Sequence, residues 1–121
     1  MSAKHIQGVG AFHQGPDYWE SEPEALHGAT LSIEADAISH EAEVRAKIIC
    51  DEWQNFLQTS ISFIEQNREK YQLCAKEFSN PNVFIESGTT WSIYFDMELE
   101  HESVIGVEFS ANEPFQLIIG D

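Results

Sequence analysis

From Trp91 to Glu100 apolar and polar residues alternate without interruption, with Trp91, Ile93, Phe95, Met97 and Leu99 in one phase and Ser92, Tyr94, Asp96, Glu98 and Glu100 in the other. A period of two is that of a half-buried strand, so one face is a core wall and the other is wet and acidic. The alternation returns in Ile105, Val107 and Phe109 after the polar corner His101 to Ser103, and in Phe115, Leu117 and Ile119 after Ala111 to Pro114. The C-terminal third therefore predicts an antiparallel meander. Upstream, Val83 to Ser87 opens this sheet after a break at Ser79 to Asn82, and Thr30 to Asp36 alternates as another strand. Trp19 falls in a short strand with its ring inward, Ile6 to Phe12 is a strand broken by Gly8 and Gly10, which suits a bulge or an edge, and Met1 to Lys4 is a frayed end.

Between these strands the period changes. Ala42, Ala46, Ile49, Trp53, Phe56, Ser60, Ile64, Asn67, Tyr71 and Cys74 recur at three and four, and no Gly or Pro interrupts residues 40 to 76. That is an amphipathic helical stripe with Ser39 as its N-cap. A continuous helix of that length would span roughly 55 Å, against about 35 Å for a compact domain of this size. A break is therefore required, giving one kinked helix or two consecutive helices. Thr59 to Ser62, where hydroxyl and β-branched residues cluster, is one place for it; alternatively Val44 to Cys50 is a strand and the helix starts at Asp51. Stripe and sheet face need each other, so the expected architecture is a single α+β domain over residues 1–121, an antiparallel sheet with helix packed on one face. Trp53 and Trp91 are expected in the core between the two layers.

Charge changes this picture most. The chain of 121 residues has 21 acids, 6 bases and a formal net charge of −15. The bases lie between Arg45 and Lys76 with the exception of Lys4, while residues 5–44 hold eight acids, residues 77–121 hold nine, and neither stretch holds a Lys or Arg. The helix is balanced and the sheet is not. Such a surface repels nucleic acid and anionic membrane and steers a cationic partner toward it. With no long apolar run and no secretory leader pattern, a cytoplasmic location is expected. Cys50 and Cys74, both on the helical stripe, are expected as buried reduced thiols.

No catalytic, cofactor or metal site is expected. Asp96, Glu98, Glu100 and Glu102 would stand nearly 7 Å apart along an extended strand, too far apart to share one ion, and as a calcium loop the run fails at His101 and Val107, where glycine and a bidentate acid are needed. The five histidines lack zinc-hydrolase spacing, and no nucleophile motif occurs. Acids on a flat sheet face suit instead a role in occupying a basic cleft. The outward phase of the predicted strands gathers Glu34, Asp36, Asp96, Glu98 and Glu108 around Tyr94, and these six residues are the expected partner-binding surface. The run Glu20, Glu22 and Glu24 is the next candidate.

The pattern Trp91-x-Ile-Tyr-Phe-Asp, then Ile105-Gly-Val-Glu-Phe109, then Leu117-Ile-Ile-Gly-Asp121, after a Trp19-containing strand and a central helix, resembles small acidic bacterial proteins of the toxin-immunity type. The resemblance covers mainly the C-terminal third. It implies a non-enzymatic inhibitor whose partner is a basic toxin domain, such as a nuclease, and it identifies neither the toxin nor the binding residues. The alternatives from the residues alone are a nucleic-acid mimic that inhibits a DNA- or RNA-binding protein, or a small enzyme with an unrecognised site.

Overall fold

A computed structural model of the chain describes residues 3–75, 77–97 and 103–120. These residues form an eight-stranded sheet whose spatial order follows the chain: β1 (Ala3–Ile6), β2 (Gly10–Gln14), β3 (Trp19–Ser21), β4 (Leu31–Ile33), β5 (Phe78–Ile85), β6 (Thr90–Met97), β7 (Ser103–Ser110) and β8 (Glu113–Gly120). Helices α1 (His40–Asp51) and α2 (Trp53–Gln66) connect β4 to β5. Every pairing is antiparallel but that of β4 with β5, which is parallel. The α+β class holds, with this one correction to the all-antiparallel expectation. The reason is topological: parallel neighbours need a long crossover, and the two helices supply it.

Registers fix the two faces. Trp19, Ile33, Ile85, Trp91 and Phe109 stand abreast across five strands on the inner face, and Leu31, Val83, Ile93, Val107 and Leu117 form the next row. All ten are buried, as are Trp53 and Phe56 of α2. Trp91 stacks on Phe109 at 4.2 Å between centroids, and Phe56 meets Trp91 edge-on at 4.9 Å. Arg45 reaches into this layer with no carboxylate partner among the described residues. Its Nε donates to the Gly88 carbonyl at 2.9 Å and its Nη1 to Asn112 Oδ1 at 2.8 Å, pinning α1 to two turns of the sheet. Burial lowers its pKa from the ordinary value.

Several local expectations need correcting. The helical region breaks at Glu52 (φ −116°, ψ 25°), not at Thr59 to Ser62, and no strand occupies Val44 to Cys50. Backbone bonds from Glu52 N to Ile48 O and from Phe56 N to Glu52 O carry the ladder through, so the break is a bend rather than a gap. The helix ends at Gln66 and not near Cys74. Asn67 caps it by donating from Nδ2 to the Phe63 carbonyl at 2.8 Å, and the chain then turns through Gln72 at φ 53°. Cys74 is accordingly exposed, while Cys50 is buried and its thiol is pushed up to about 11 by burial and by Asp51. Residues Ser79 to Asn82 belong to β5, where they form a bulge with Asn80 at φ 51°. Gly8 lies in the β1–β2 turn and Gly10 opens β2 opposite Ile6, with β1 at the edge of the sheet as expected, and Ala3 and Lys4 are in β1 rather than frayed. On β8, Leu117 is buried but Phe115, displaced by a register shift, and Ile119 are exposed.

Candidate functional site

The helices cover the inner face, and the outer face is bare. One residue along from the Trp91 row, the registers place Glu20, Ser32, Phe84, Ser92, Glu108 and Gln116 side by side across β3 to β8. The row is nearly symmetrical about Phe84: a ring, flanked by hydroxyls, flanked by carboxylates. Because serine is short, the ring stands proud and leaves a depression on each side. The first, a cavity of about 480 Å³, is floored by Ser32, Tyr18 and Phe84 and rimmed by Asp17, Glu20, Glu34 and Asp36. The second, about 380 Å³, is floored by Phe84, Ser92 and Tyr94 and rimmed by Glu34, Glu86 and Asp96, with Asn82 and Val104. No Lys or Arg lines either depression among the described residues.

Both tyrosines are held by glycine. Tyr94 pairs with Gly106 across β6 and β7, and its ring lies where a Cβ on residue 106 would stand, 2.7 Å from the ring atoms. Tyr18 covers Gly15 in the same way. Laid flat over bare backbone, Tyr94 meets Phe84 edge-on at 5.4 Å between centroids. Burial, then the charges of Glu108, Glu86 and Glu34, hold the Tyr94 phenol above its ordinary pKa. The phenol therefore stays neutral and able to donate a hydrogen bond.

Of the six residues expected from the sequence, Glu34 and Asp96 lie beside Tyr94 as predicted, and Glu108 is close enough to act on its phenol. Asp96 also accepts a 2.9 Å bond from Asn80 Nδ2. Asp36 is on the same face but rims the other depression, away from Tyr94, where its backbone carbonyl anchors Trp19 Nε1 at 3.1 Å and Gln14 Nε2 at 3.2 Å. Glu98 lies outside the described residues. Sequence reasoning missed Glu86, Phe84, Ser32 and Ser92, and it placed Tyr18 and Asp17 in no site. Phe84 had a readable signal: its neighbours Val83 and Ile85 are both buried, so the alternation turns Phe84 outward. Of the second candidate run only Glu20 takes part.

Chemically the face can accept donors and neutralise positive charge. Among the described residues no group of three or more His, Cys, Asp or Glu side chains is placed to hold a metal ion, and no helix is long and apolar enough to cross a membrane. Comparisons with protein-family models, with curated proteins and with solved structures return no match to this chain.

Proposed function

We propose that this chain is a non-enzymatic binding protein that occupies a basic surface of a protein partner with its outer sheet face, and that the partner is a toxin domain which it neutralises in the cytoplasm. One observation carries the reading: two adjoining depressions with aromatic floors, rimmed by six carboxylates and lined by no Lys or Arg among the described residues. A face that only kept the chain soluble would have no need of three aromatic rings between its acids. Exposed tyrosine and phenylalanine supply contact area, and the surrounding potential selects a basic partner and speeds its arrival. The resemblance of the C-terminal third to immunity-type proteins supports the toxin as the kind of partner.

The test is recovery of partners from the native host on immobilised chain, with the Asp96→Lys and Glu34→Lys double variant as the parallel bait. A basic protein should be retained by the first and lost from the second, associate more slowly as salt rises through the range where exposed charges are screened, and arrest growth when expressed without this chain. Retention by both baits, or an association rate indifferent to salt, overturns the reading.

A further inference from the structure

The acids say only that something positive is welcome; the two serines say where it sits. Ser32 is 6 % exposed and Ser92 8 %, and neither hydroxyl has a hydrogen-bond partner among the described residues. In a sheet the neighbouring backbone groups are already engaged in the ladder, so the hydrogen-bonding capacity of each hydroxyl is left to whatever enters the depression that the residue lines. Neither hydroxyl is sealed, since Ser60 Oγ is the one buried side-chain polar atom without a partner among the described residues; water serves both until a ligand covers them, and a ligand that leaves a covered hydroxyl unpaired incurs its desolvation cost. An anion is repelled by Glu34 and its neighbours, and an apolar group would seal the hydroxyl off unpaired. The complementary group is an N–H donor that carries positive charge, the guanidinium of arginine or the ammonium of lysine.

We infer that the outer face is a paired receptor for two cationic side chains of one basic protein segment, one seated on Ser32 and one on Ser92, straddling the ring of Phe84. Two seats follow from the register. Ser32 and Ser92 are each directly opposite Phe84 on adjacent strands, which sets them about 10 Å apart at the usual strand spacing, beyond the reach of a single charge. Glu34 belongs to both rims and serves both. Phe84 offers its ring to the stems and charges on either side, as aromatic rings do for arginine and lysine. The exposed ring of Tyr18 widens the apolar floor beyond what a thin polyamine chain would cover, which assigns the seats to a protein segment. This inference rests on the acidic face being the binding surface and adds the positions of its contacts.

The experiment is an NMR titration of the isotope-labelled chain with an end-blocked Arg-Gly-Arg peptide, its citrulline twin, and spermine. Saturable shifts should centre on the amides of Ser32, Phe84 and Ser92, and the citrulline twin should bind at least about tenfold more weakly. The Ser32→Val and Ser92→Val double variant keeps every carboxylate and fills both seats, and should lose at least as much. Valine suits a strand, and Glu34→Gln, at an exposed position, provides a second variant that should weaken both seats together. Wild-type affinity in the double valine variant would mean that charge alone binds the peptide, and tighter binding of spermine would assign the face to a small polyamine; either overturns the paired receptor. A basic partner still lost on Asp96→Lys while the peptide fails to bind would remove the seats and leave the acidic face standing.

Discussion

The two faces of this sheet are built from alternate residues of the same strands, yet they are designed on opposite terms. Inside, Ile33, Ile85, Trp91 and Phe109 are buried in one row beneath the helices, with Phe56 of α2 edge-on to both rings; outside, Ser32, Phe84, Ser92 and Glu108 at the neighbouring positions leave hollows and unspent hydroxyls. The inner row could be shuffled among large apolar residues with modest loss. The outer row packs more lightly: Phe84, between two serines, has Tyr94 as its edge-on aromatic neighbour, and that ring in turn lies over Gly106. On the proposed reading, stability is concentrated on one face and recognition on the other, one residue away.

The largest expected difference between the two faces is in stability. Trp91→Ala should cost about 3 to 5 kcal/mol, read as a shift in denaturant midpoint, because the side chain is buried against Phe109 and Phe56. Asp96→Lys, five residues away on the exposed face, should stay within about 0.5 kcal/mol of wild type. Melting of Trp91→Ala like wild type would invert the assignment of faces.

Next in size is binding. Tyr94→Ala and Asp96→Lys should each weaken binding of the recovered partner by about 1 to 2 kcal/mol while circular dichroism shows the fold intact. Gly106→Ala should reproduce part of the tyrosine effect without touching the partner, since the new methyl displaces the Tyr94 ring from its seat.

A smaller effect separates a sealed serine from the open ones. Ser60 on α2 is fully buried and its hydroxyl has no partner among the described residues, so Ser60→Ala should be neutral or stabilising by up to about 1 kcal/mol, measured by chemical denaturation. A large loss would reveal a role for that hydroxyl in the core.

The smallest effect is a titration. Tyr94 is held neutral in the fold, so it should ionise above the ordinary tyrosine value of about 10 in an ultraviolet pH titration compared against Tyr94→Phe. With the folded pKa raised, the associated stability is present below the unfolded value and is lost as pH rises through the folded one. Glu108→Gln should bring the midpoint down toward 10; an unchanged midpoint would place that carboxylate too far from the phenol.

The fold was legible where alternation is clean and uninterrupted. Trp91 to Met97 and Ile105 to Phe109 could be assigned to faces residue by residue, and the need for a helical break followed from length alone. The helix end was hidden because Asn67 stops it with a side-chain cap rather than with Gly or Pro. Half of the site was hidden for a deeper reason. The pairing of β4 with β5 joins residues 52 positions apart, such as Thr30 and Asn82, whose Oγ1 and Oδ1 lie 2.7 Å apart, and such a contact leaves no local periodicity to read. Without that register Ser32 and Glu34 cannot be placed beside Phe84, and Tyr18 has no reason to be functional.

That parallel joint also sets the order in which the molecule becomes able to act. Closing a loop of some fifty residues costs about 2 kcal/mol more in chain entropy than closing a hairpin, and β4 answers with only the three residues Leu31–Ile33. A chain that has formed the β5–β8 meander but not yet docked β1–β4 has Phe84 and Ser92 without Ser32 or Glu34. If the proposed face is the binding surface, partner recognition is then a test of completed folding. A partner bound across the joint would clamp the N-terminal strands to the C-terminal ones, each tenfold excess over its Kd adding about 1.4 kcal/mol against their detachment. Slower hydrogen exchange throughout β1–β4 in the complex, including strands the partner never touches, is the signature to expect.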